Sequence, residues 1–241
     1  MTNPTPLAAK DIGDEIGHHI VVRLGGFAFN IDTIWSTVLA AVIVLGLGLY
    51  LRSKVTSAVP SRLQLVWETV VEQVRAQVAD QIGPTAPFVV PLAIALFMFI
   101  LIANWIELVP TMEKLPSPSA DVNLTFALAL VVIIWVHVIS IRRKGAKAYF
   151  KHYAQPYALL TPINVIEELA RPVTLALRLF GNIFSGTIMI ILIGLFPAFL
   201  SWAPNAVWKL FDMFIGVIQA FIFALLTILY FAGAVETEEA H

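Results

Sequence analysis

The chain has 241 residues, of which 59% are hydrophobic and only 13% charged, and its formal net charge is −1. A mean hydropathy of +0.85 argues against a soluble domain of this size, which could not bury so much apolar surface. The near-neutral charge gives no electrostatic basis for nucleic-acid binding, and the absence of cysteine excludes disulfides and thiolate metal sites.

The chain begins with a polar segment, a predicted membrane span and a predicted surface helix. We treat residues 1–30 as extramembrane, because they lack the basic start and apolar core of a signal peptide, and residues 31–241 as one membrane domain. The first span is predicted over 31–51. A Pro-Ser pair then starts a helix over 61–82, whose apolar residues share one face. This helix is amphipathic and is expected at the membrane interface or against a partner.

The remaining apolar blocks predict further spans over 88–109 and 124–141, followed by two longer segments over 163–200 and 205–235. The last two exceed what a perpendicular helix needs to cross a hydrocarbon core of about 30 Å. Either a break or a strong tilt would accommodate them. The short turn Ser201–Pro204 is predicted to join them as a hairpin. The fold class is therefore an all-α membrane protein with five to six hydrophobic helices and a long tilted C-terminal hairpin.

Basic residues set the expected orientation of these helices. Arg and Lys follow the first and third spans, whereas the loop 110–123 contains only Lys114 as a base. Positively charged loops remain in the cytoplasm. We therefore expect the N-terminus outside and the acidic tail Glu236–His241 inside.

The fifth apolar segment contains a fixed positive charge, Arg178. Arginine does not lose its proton, and its insertion at mid-membrane costs about 2.5–3.5 kcal/mol, so a functional role is expected. The alternative is a structural arginine paired with a neighbouring carboxylate. Arg171, near the start of the segment, can extend to the interface and favours a structural role. Polar residues spaced by three or four place one stripe on this helix: Glu167, Arg171, Thr174, Arg178, Asn182 and Ser185.

The sixth segment has its own polar stripe, formed by Asp212, Gly216 and Gln219. An antiparallel hairpin can bring this stripe near Arg178. A glutamine amide can both donate and accept hydrogen bonds, which suits packing beside a guanidinium. A simple hydrogen bond between helices is the alternative for Gln219.

Several motifs resemble subunit a of the rotary ATP synthase membrane sector. They are "LALRLFGNIFSG", then "IQAFIFALLTILYF", and upstream "PSRLQLVWE", "FILIANWIELVP" and "PSADVNLTFALAL". The resemblance covers nearly the whole chain after residue 30. It implies a stator subunit, and we expect this subunit to lie in a bacterial plasma membrane and to have no catalytic role and no cofactor. Its implied partners are a rotating ring of c subunits, peripheral-stalk b-type subunits and the rest of the complex.

The resemblance also implies roles for individual residues. The family's essential arginine matches Arg178, its neighbouring asparagine matches Asn182 and its glutamine matches Gln219. Two aqueous half-channels would reach the ring from opposite sides, with Arg178 between them. A permanent cation there attracts an unprotonated ring carboxylate and opposes a free proton, so the ion must travel on the ring.

The half-channel residues are expected at the two ends of these helices. Asp121 has an alternative role as a helix cap, and interfacial glutamates are a weak signal. The outer half-channel residues that match the family are Asn104, Glu107, Ser119 and Asp121, and the inner candidates are Glu167 and Glu168.

The chain departs from relatives that carry a glutamate and a histidine as an ionisable pair. The corresponding residues here are Thr187 and Asp212, so one carboxylate remains. Asp212 lies two helical turns from Gln219, about 10 Å along the axis, and we expect it to relay protons in the outer half-channel. Its alternative role is an ion pair with Lys209, three residues earlier.

Two other classes of protein were weighed. A secondary transporter would show internal repeats and a midplane substrate site, and neither is evident in the sequence. A structural subunit of a respiratory complex would leave Arg178 unexplained. The chain has no phosphate-binding glycine loop, and its adjacent His18 and His19 are too isolated to indicate a metal site.

Overall fold

The computed structural model describes residues 21–24, 27–55, 60–83, 88–106, 118–153 and 161–235. Five of the helices in these ranges are long and apolar enough to cross a membrane, which confirms the all-α membrane class. The elements are β1 (Val21–Leu24), β2 (Phe27–Asn30), α1 (Ile31–Lys54), α2 (Arg62–Ile82), α3 (Val89–Ile106), a 3₁₀ turn (Pro118–Ala120), α4 (Val122–Lys144), α5 (Ala146–Tyr153), α6 (Thr161–Gly194) and α7 (Ala198–Val235).

A short antiparallel hairpin precedes the first span. Strands β1 and β2 pair with Val21 opposite Asn30, and α1 follows directly at Ile31. Most side chains of α1 are exposed, including Trp35 and Leu45. An apolar helix with so little cover from its own chain suits contact with lipid.

Helix α2 confirms the predicted amphipathic helix. The Ser61 hydroxyl accepts a hydrogen bond from the Gln64 amide at 3.3 Å and caps the first turn. The helix ends at Gly83, whose φ of +68° is a conformation that glycine adopts at little cost. Its Val78 is buried in the core, and α2 packs against α3 and α7. The later part of this apolar face therefore contacts helices of the same chain, whereas Leu63 and Val66 near its start are exposed.

The core lies where α7 packs against α3 and where α6 packs against α4, the two most extensive helix pairs. Phe88 meets Phe231 edge to face, with ring centroids 5.7 Å apart. The largest fully buried side chains of these helices include Ile100, Val132, Leu175, Leu179, Phe223 and Phe231.

Helix α4 has a defined contact at each of its two ends. Asp121 caps its first turn by accepting the Asn123 amide at 2.8 Å. At the other end, Gly145 with φ +80° separates α4 from α5, a short helix that the sequence did not predict. The Lys144 ammonium donates to the Gly233 carbonyl at 2.9 Å, so the last turns of α4 and α7 lie at the same end of the protein.

The C-terminal hairpin differs from prediction in the place of its turn. Its connection is Leu195–Pro197, and the predicted turn at Ser201–Pro204 is wrong, because those residues lie inside α7. The Pro197 carbonyl accepts the amides of Leu200 and Ser201 at 2.8 and 3.1 Å, so the helix begins at Ala198, before the predicted turn. Pro204 lies beyond the first turn of α7, where its nitrogen cannot donate to the Leu200 carbonyl, yet the helix continues through it.

Both hairpin helices are continuous. Helix α6 has 34 residues and α7 has 38, which corresponds to about 51 and 57 Å at 1.5 Å per residue. Each helix continues through an internal proline, Pro172 in α6 and Pro204 in α7, so we expect tilt rather than a break to fit them to a hydrocarbon core of about 30 Å.

Candidate functional site

The register of the α6–α7 hairpin places Arg178 and Gln219 at one level. Two contacts fix this register: the Asp212 carboxylate lies beside Gly186, and the Arg171 guanidinium lies 5.4 Å from the centre of the Tyr230 ring. Position 178 falls between these contacts on α6, and position 219 falls between them on α7. The two predicted stripes are therefore brought to the same depth by the fold.

Arg178 is exposed on the outer side of α6. The opposite side of the helix is locked into the protein, because Leu175, Ala176 and Leu179 are at most 1% exposed. No hydrogen bond or ion pair joins Arg178 to another residue in the part of the chain that the structure describes. The structural alternative, in which a neighbouring carboxylate neutralises Arg178, has no support within those ranges.

The two amides predicted beside Arg178 are directed into the packed region. Gln219 is only 6% exposed and Asn182 is half-buried. Gln219 Nε2 and Asn182 Nδ2 are inaccessible and have no hydrogen-bond acceptor among the described residues. A buried donor without an acceptor costs about 1–3 kcal/mol. A hydrogen-bond acceptor from outside the described residues would therefore stabilise both amides. The neighbouring Thr174 and Ser185 are exposed on the Arg178 side of the stripe.

Asp212 is a buried carboxylate held against a glycine. Its side chain is 8% exposed, and a Cβ placed on Gly186 would lie 3.3 Å from Asp212 Oδ1. Lys209 makes no ion pair with it within the 4 Å limit, so the structure does not favour the alternative pairing. Thr187 occupies the other position of the ionisable pair found in relatives, and its side chain lies outside the described residues.

Asn104 joins the 3₁₀ turn to the middle of α7. Its Oδ1 accepts the Ser119 hydroxyl at 2.8 Å, and its Nδ2 donates to the Gly216 carbonyl at 3.3 Å. A Cβ on Gly216 would lie 3.2 Å from Asn104 Cβ, so a larger residue would force the two helices to shift by a few tenths of an ångström. Because Gly216 lies one turn after Asp212, this chain of hydrogen bonds ends beside the buried carboxylate.

The Asp121 carboxylate accepts hydrogen bonds from Asn30, Thr33 and Asn123. Its Oδ2 receives Asn30 Nδ2 at 2.7 Å and the Thr33 hydroxyl at 2.8 Å, while Oδ1 receives the Asn123 amide and Asn123 Nδ2 at 2.8 and 2.9 Å. The carboxylate thus caps α4, as the alternative reading expected, and also ties it to the start of α1. Glu107, the remaining outer candidate, lies outside the described residues.

A charged cluster forms at the opposite end of α6. Arg171 Nη1 lies 3.0 Å from Glu168 Oε2, and Nη2 lies 3.7 Å from Glu167 Oε1. His137 Nε2 of α4 lies 3.7 Å from the other oxygen of Glu168, and Tyr230 of α7 lies under the guanidinium. The helical spacing of the sequence grouped the three α6 residues. It could not predict that His137 and Tyr230 join them, because those two lie on other helices. No three His, Asp or Glu residues in the described ranges form a metal site.

The comparisons with known proteins agree on one family. The family model described as "ATP synthase A chain" matches residues 33–232. The "ATP synthase subunit a" of Acidothermus cellulolyticus is 53% identical over 226 residues, covering 92% of this chain and 83% of that protein. That of Mycobacterium marinum is 51% identical over 239 residues, covering 94% and 96%. The "ATP synthase subunit a 2" of Vibrio campbellii is 34% identical, covering 92% and 95%. With a family match over most of its length and relatives this similar, the chain belongs to the ATP synthase A chain family.

Proposed function

We propose that this chain is the ion-translocating stator subunit of an ATP synthase membrane sector, and that Arg178 meets the carboxylates of a rotating c-subunit ring. The observation that carries the proposal is the exposed guanidinium of Arg178 on an apolar hairpin, unpaired within the described residues. An unpaired charge in a membrane is costly. A ring carboxylate arriving from outside the chain would supply the missing partner.

The permanent charge of Arg178 explains why ion flow would turn the ring. An ionised ring carboxylate is attracted to the guanidinium, which favours loss of its proton at that position. A free proton is repelled by the same charge and cannot pass directly between two half-channels. Each elementary charge that crosses releases about 2.3 kcal/mol per 100 mV, and a leak at this position would dissipate it.

The buried polar groups supply the proposed outer half-channel. Asp212 would exchange protons with the ring carboxylates. The hydrogen bonds of Asn104 with Ser119 and with the Gly216 carbonyl hold the adjacent turn of α7 in place. Asp121, through its hydrogen bonds, would keep the outer ends of α1 and α4 together. Glu107 completes the proposed set, although it lies outside the described residues.

On the other side, Glu168 is the stronger candidate for the inner half-channel, because its side chain is 16% exposed whereas that of Glu167 is 68% exposed. Glu168 contacts both Arg171 of its own helix and His137 of α4, so its carboxylate is held between the two helices.

The proposed orientation has the N-terminus outside and the C-terminus in the cytoplasm. Lys144 contacts the carbonyl of Gly233, so the basic end of α4 and the end of α7 share one side. Positive residues mark the cytoplasmic side. The related proteins are bacterial, and we place the chain in a bacterial plasma membrane. Its partners would be the c ring, b-type stalk subunits and the remaining complex, and it would have no catalytic site or cofactor of its own.

A ring facing α6 can be detected by crosslinking. The chain has no cysteine, so single cysteines report individual positions. Ser185→Cys on the exposed Arg178 side should form a disulfide with a cysteine placed beside the ring carboxylate. Trp35→Cys on α1, equally exposed, is the matched control and should not react. Equal reaction at both positions, or reaction at Trp35→Cys alone, would remove α6 from the ring interface.

Replacement of Gly186 should affect the proton path through Asp212. In Gly186→Ala the new Cβ would lie 3.3 Å from Oδ1, so the carboxylate must shift by a few tenths of an ångström. We expect proton conduction in membrane vesicles to fall severalfold with normal assembly. Gly181→Ala on the same helix is the control, because its Cβ would meet nothing within 4 Å. Equal conduction in the two variants would show that the position of Asp212 is not critical.

A further inference from the structure

The junction between α4 and α5 carries five basic residues that the proposed ion path does not use. We call them the basic cluster. No acidic residue occurs between Asp121 and Glu167, so the cluster is not neutralised by its own segment of chain. Its members are Arg142, Arg143, Lys144, Lys147 and Lys151.

The cluster lies where an apolar span ends. The stretch from Leu124 to Ile141 has no charged residue and is about 27 Å long at 1.5 Å per residue. This length is close to the hydrocarbon thickness of about 30 Å, so Arg142 and Arg143 follow at the depth of the lipid headgroups. The helix break at Gly145 starts α5 at once and keeps Lys147 near that depth.

Arg142 and Lys147 of the basic cluster are exposed. Tyr149 of α5 is half-buried, and its ring centroid lies 6.0 Å from that of His137 on α4. Lys147 is two residues earlier, on the opposite side of the helix, and is exposed. Neither Arg142 nor Lys147 makes an ion pair with any residue the structure describes, and Lys144 donates to a neutral carbonyl, which leaves its charge uncompensated.

We propose that the basic cluster binds the phosphate headgroups of anionic phospholipids. A guanidinium presents paired N–H donors to phosphate oxygens, and an ammonium adds a point charge. Basic residues beside a span each contribute about fivefold to binding an anionic membrane surface. The competing occupant is the acidic segment 236–241, because it follows Val235 at the end of α7 that Lys144 contacts.

The test uses the complete complex in phosphatidylcholine vesicles that contain a photoreactive phosphatidylglycerol. Labelling of peptides from the α4–α5 junction is quantified by mass spectrometry at subsaturating probe. Arg142→Gln with Lys147→Gln should lower labelling by about 25-fold, from about fivefold for each base. The charge-preserving pair Arg142→Lys with Lys147→Arg should retain most of it. ATP-driven proton pumping should persist in both, which verifies that the complex is assembled.

Arg52→Gln with Lys54→Gln at the end of α1 removes the same charge from another span and should leave labelling of the α4–α5 junction nearly unchanged, although it lowers labelling near α1. An equal loss in this control would mean that net charge alone attracts the lipid, and the proposed site would be rejected. If deletion of residues 236–241 raises labelling while the Arg142/Lys147 change has no effect in the intact chain, the acidic segment is the occupant and the proposal is likewise wrong.

Discussion

Arg178→Lys is expected to abolish ATP synthesis driven by a proton gradient, although lysine keeps the charge at neutral pH in water. In an apolar site an amine can lose its proton, whereas a guanidinium does not. The barrier between the half-channels would then open intermittently. Arg178→Ala, which removes the cation completely, should abolish synthesis and also let protons pass through the membrane sector without rotation.

Both variants are measured in inverted membrane vesicles, with ATP synthesis and passive proton conduction normalised to the amount of assembled complex. Assembly should be retained, because Arg178 is exposed and the packing of α6 rests on Leu175, Ala176 and Leu179. Thr174→Ala, one turn earlier on the same exposed stripe, is the control and should behave almost as the parent does. Near-normal synthesis in Arg178→Lys would refute the role assigned to the permanent charge.

Asp212→Asn should slow proton conduction strongly while leaving the complex assembled. Asparagine nearly preserves the shape beside Gly186 but cannot accept and release a proton in the working range. Removal of a positioned proton-transfer group typically costs about 100-fold or more, and we expect an effect of this size. The measurement is conduction across the pH range in which the parent complex is active.

Lys209→Ala is the companion to this experiment. Lys209 lies three residues before Asp212 on the same helix but forms no ion pair with it. Its replacement should therefore change conduction little. If Asp212→Asn conducts protons at the parent rate, the relay consists of water or Glu107 and Asp212 is structural. If both variants lose conduction equally, an ion pair between Lys209 and Asp212 contributes to conduction, which contradicts the expectation for Lys209→Ala.

Local sequence signals predicted most of the helices correctly. Long apolar blocks identified the spans because membrane helices must be both long and apolar. Ser61 indicated the start of α2 through its capping preference, and the structure has that cap. Arg178 was conspicuous because a charge in an apolar helix has a large cost that requires an explanation.

Features that depend on competing local preferences were not predicted. The Ser-Trp-Ala-Pro sequence before Asn205 contains residues that favour turns. In the structure, however, two amides donate to the Pro197 carbonyl, and α7 begins before this sequence. Likewise α5 is a helix of only eight residues, too short for a periodic pattern to establish. Spans α1 and α4 extend beyond their predicted ends because basic residues are compatible with the last turn of a helix.

The finer geometry of the candidate site depends on pairing between distant residues. Asn104 and Gly216 are separated by 112 positions, and no periodicity connects them. The contact of His137 with Glu168 is of the same kind, because it joins two helices whose relative rotation the sequence does not show. The register of the α6–α7 hairpin could not be predicted from the sequence either. A turn misplaced by several residues would put a different residue of α7 opposite Arg178.

The way α6 is seated has a mechanical consequence. A rotating neighbour would push sideways on the exposed Arg178 side of this helix, and an unsupported rod of 34 residues would bend under such a load. The opposite side carries side chains at most 1% exposed, α6 packs against α4 and α7, and α7 packs in turn against α3. Close-packed interiors have low compressibility. Sideways force would therefore pass into the bundle as compression, and Arg178 would keep its place while the ring moves past it.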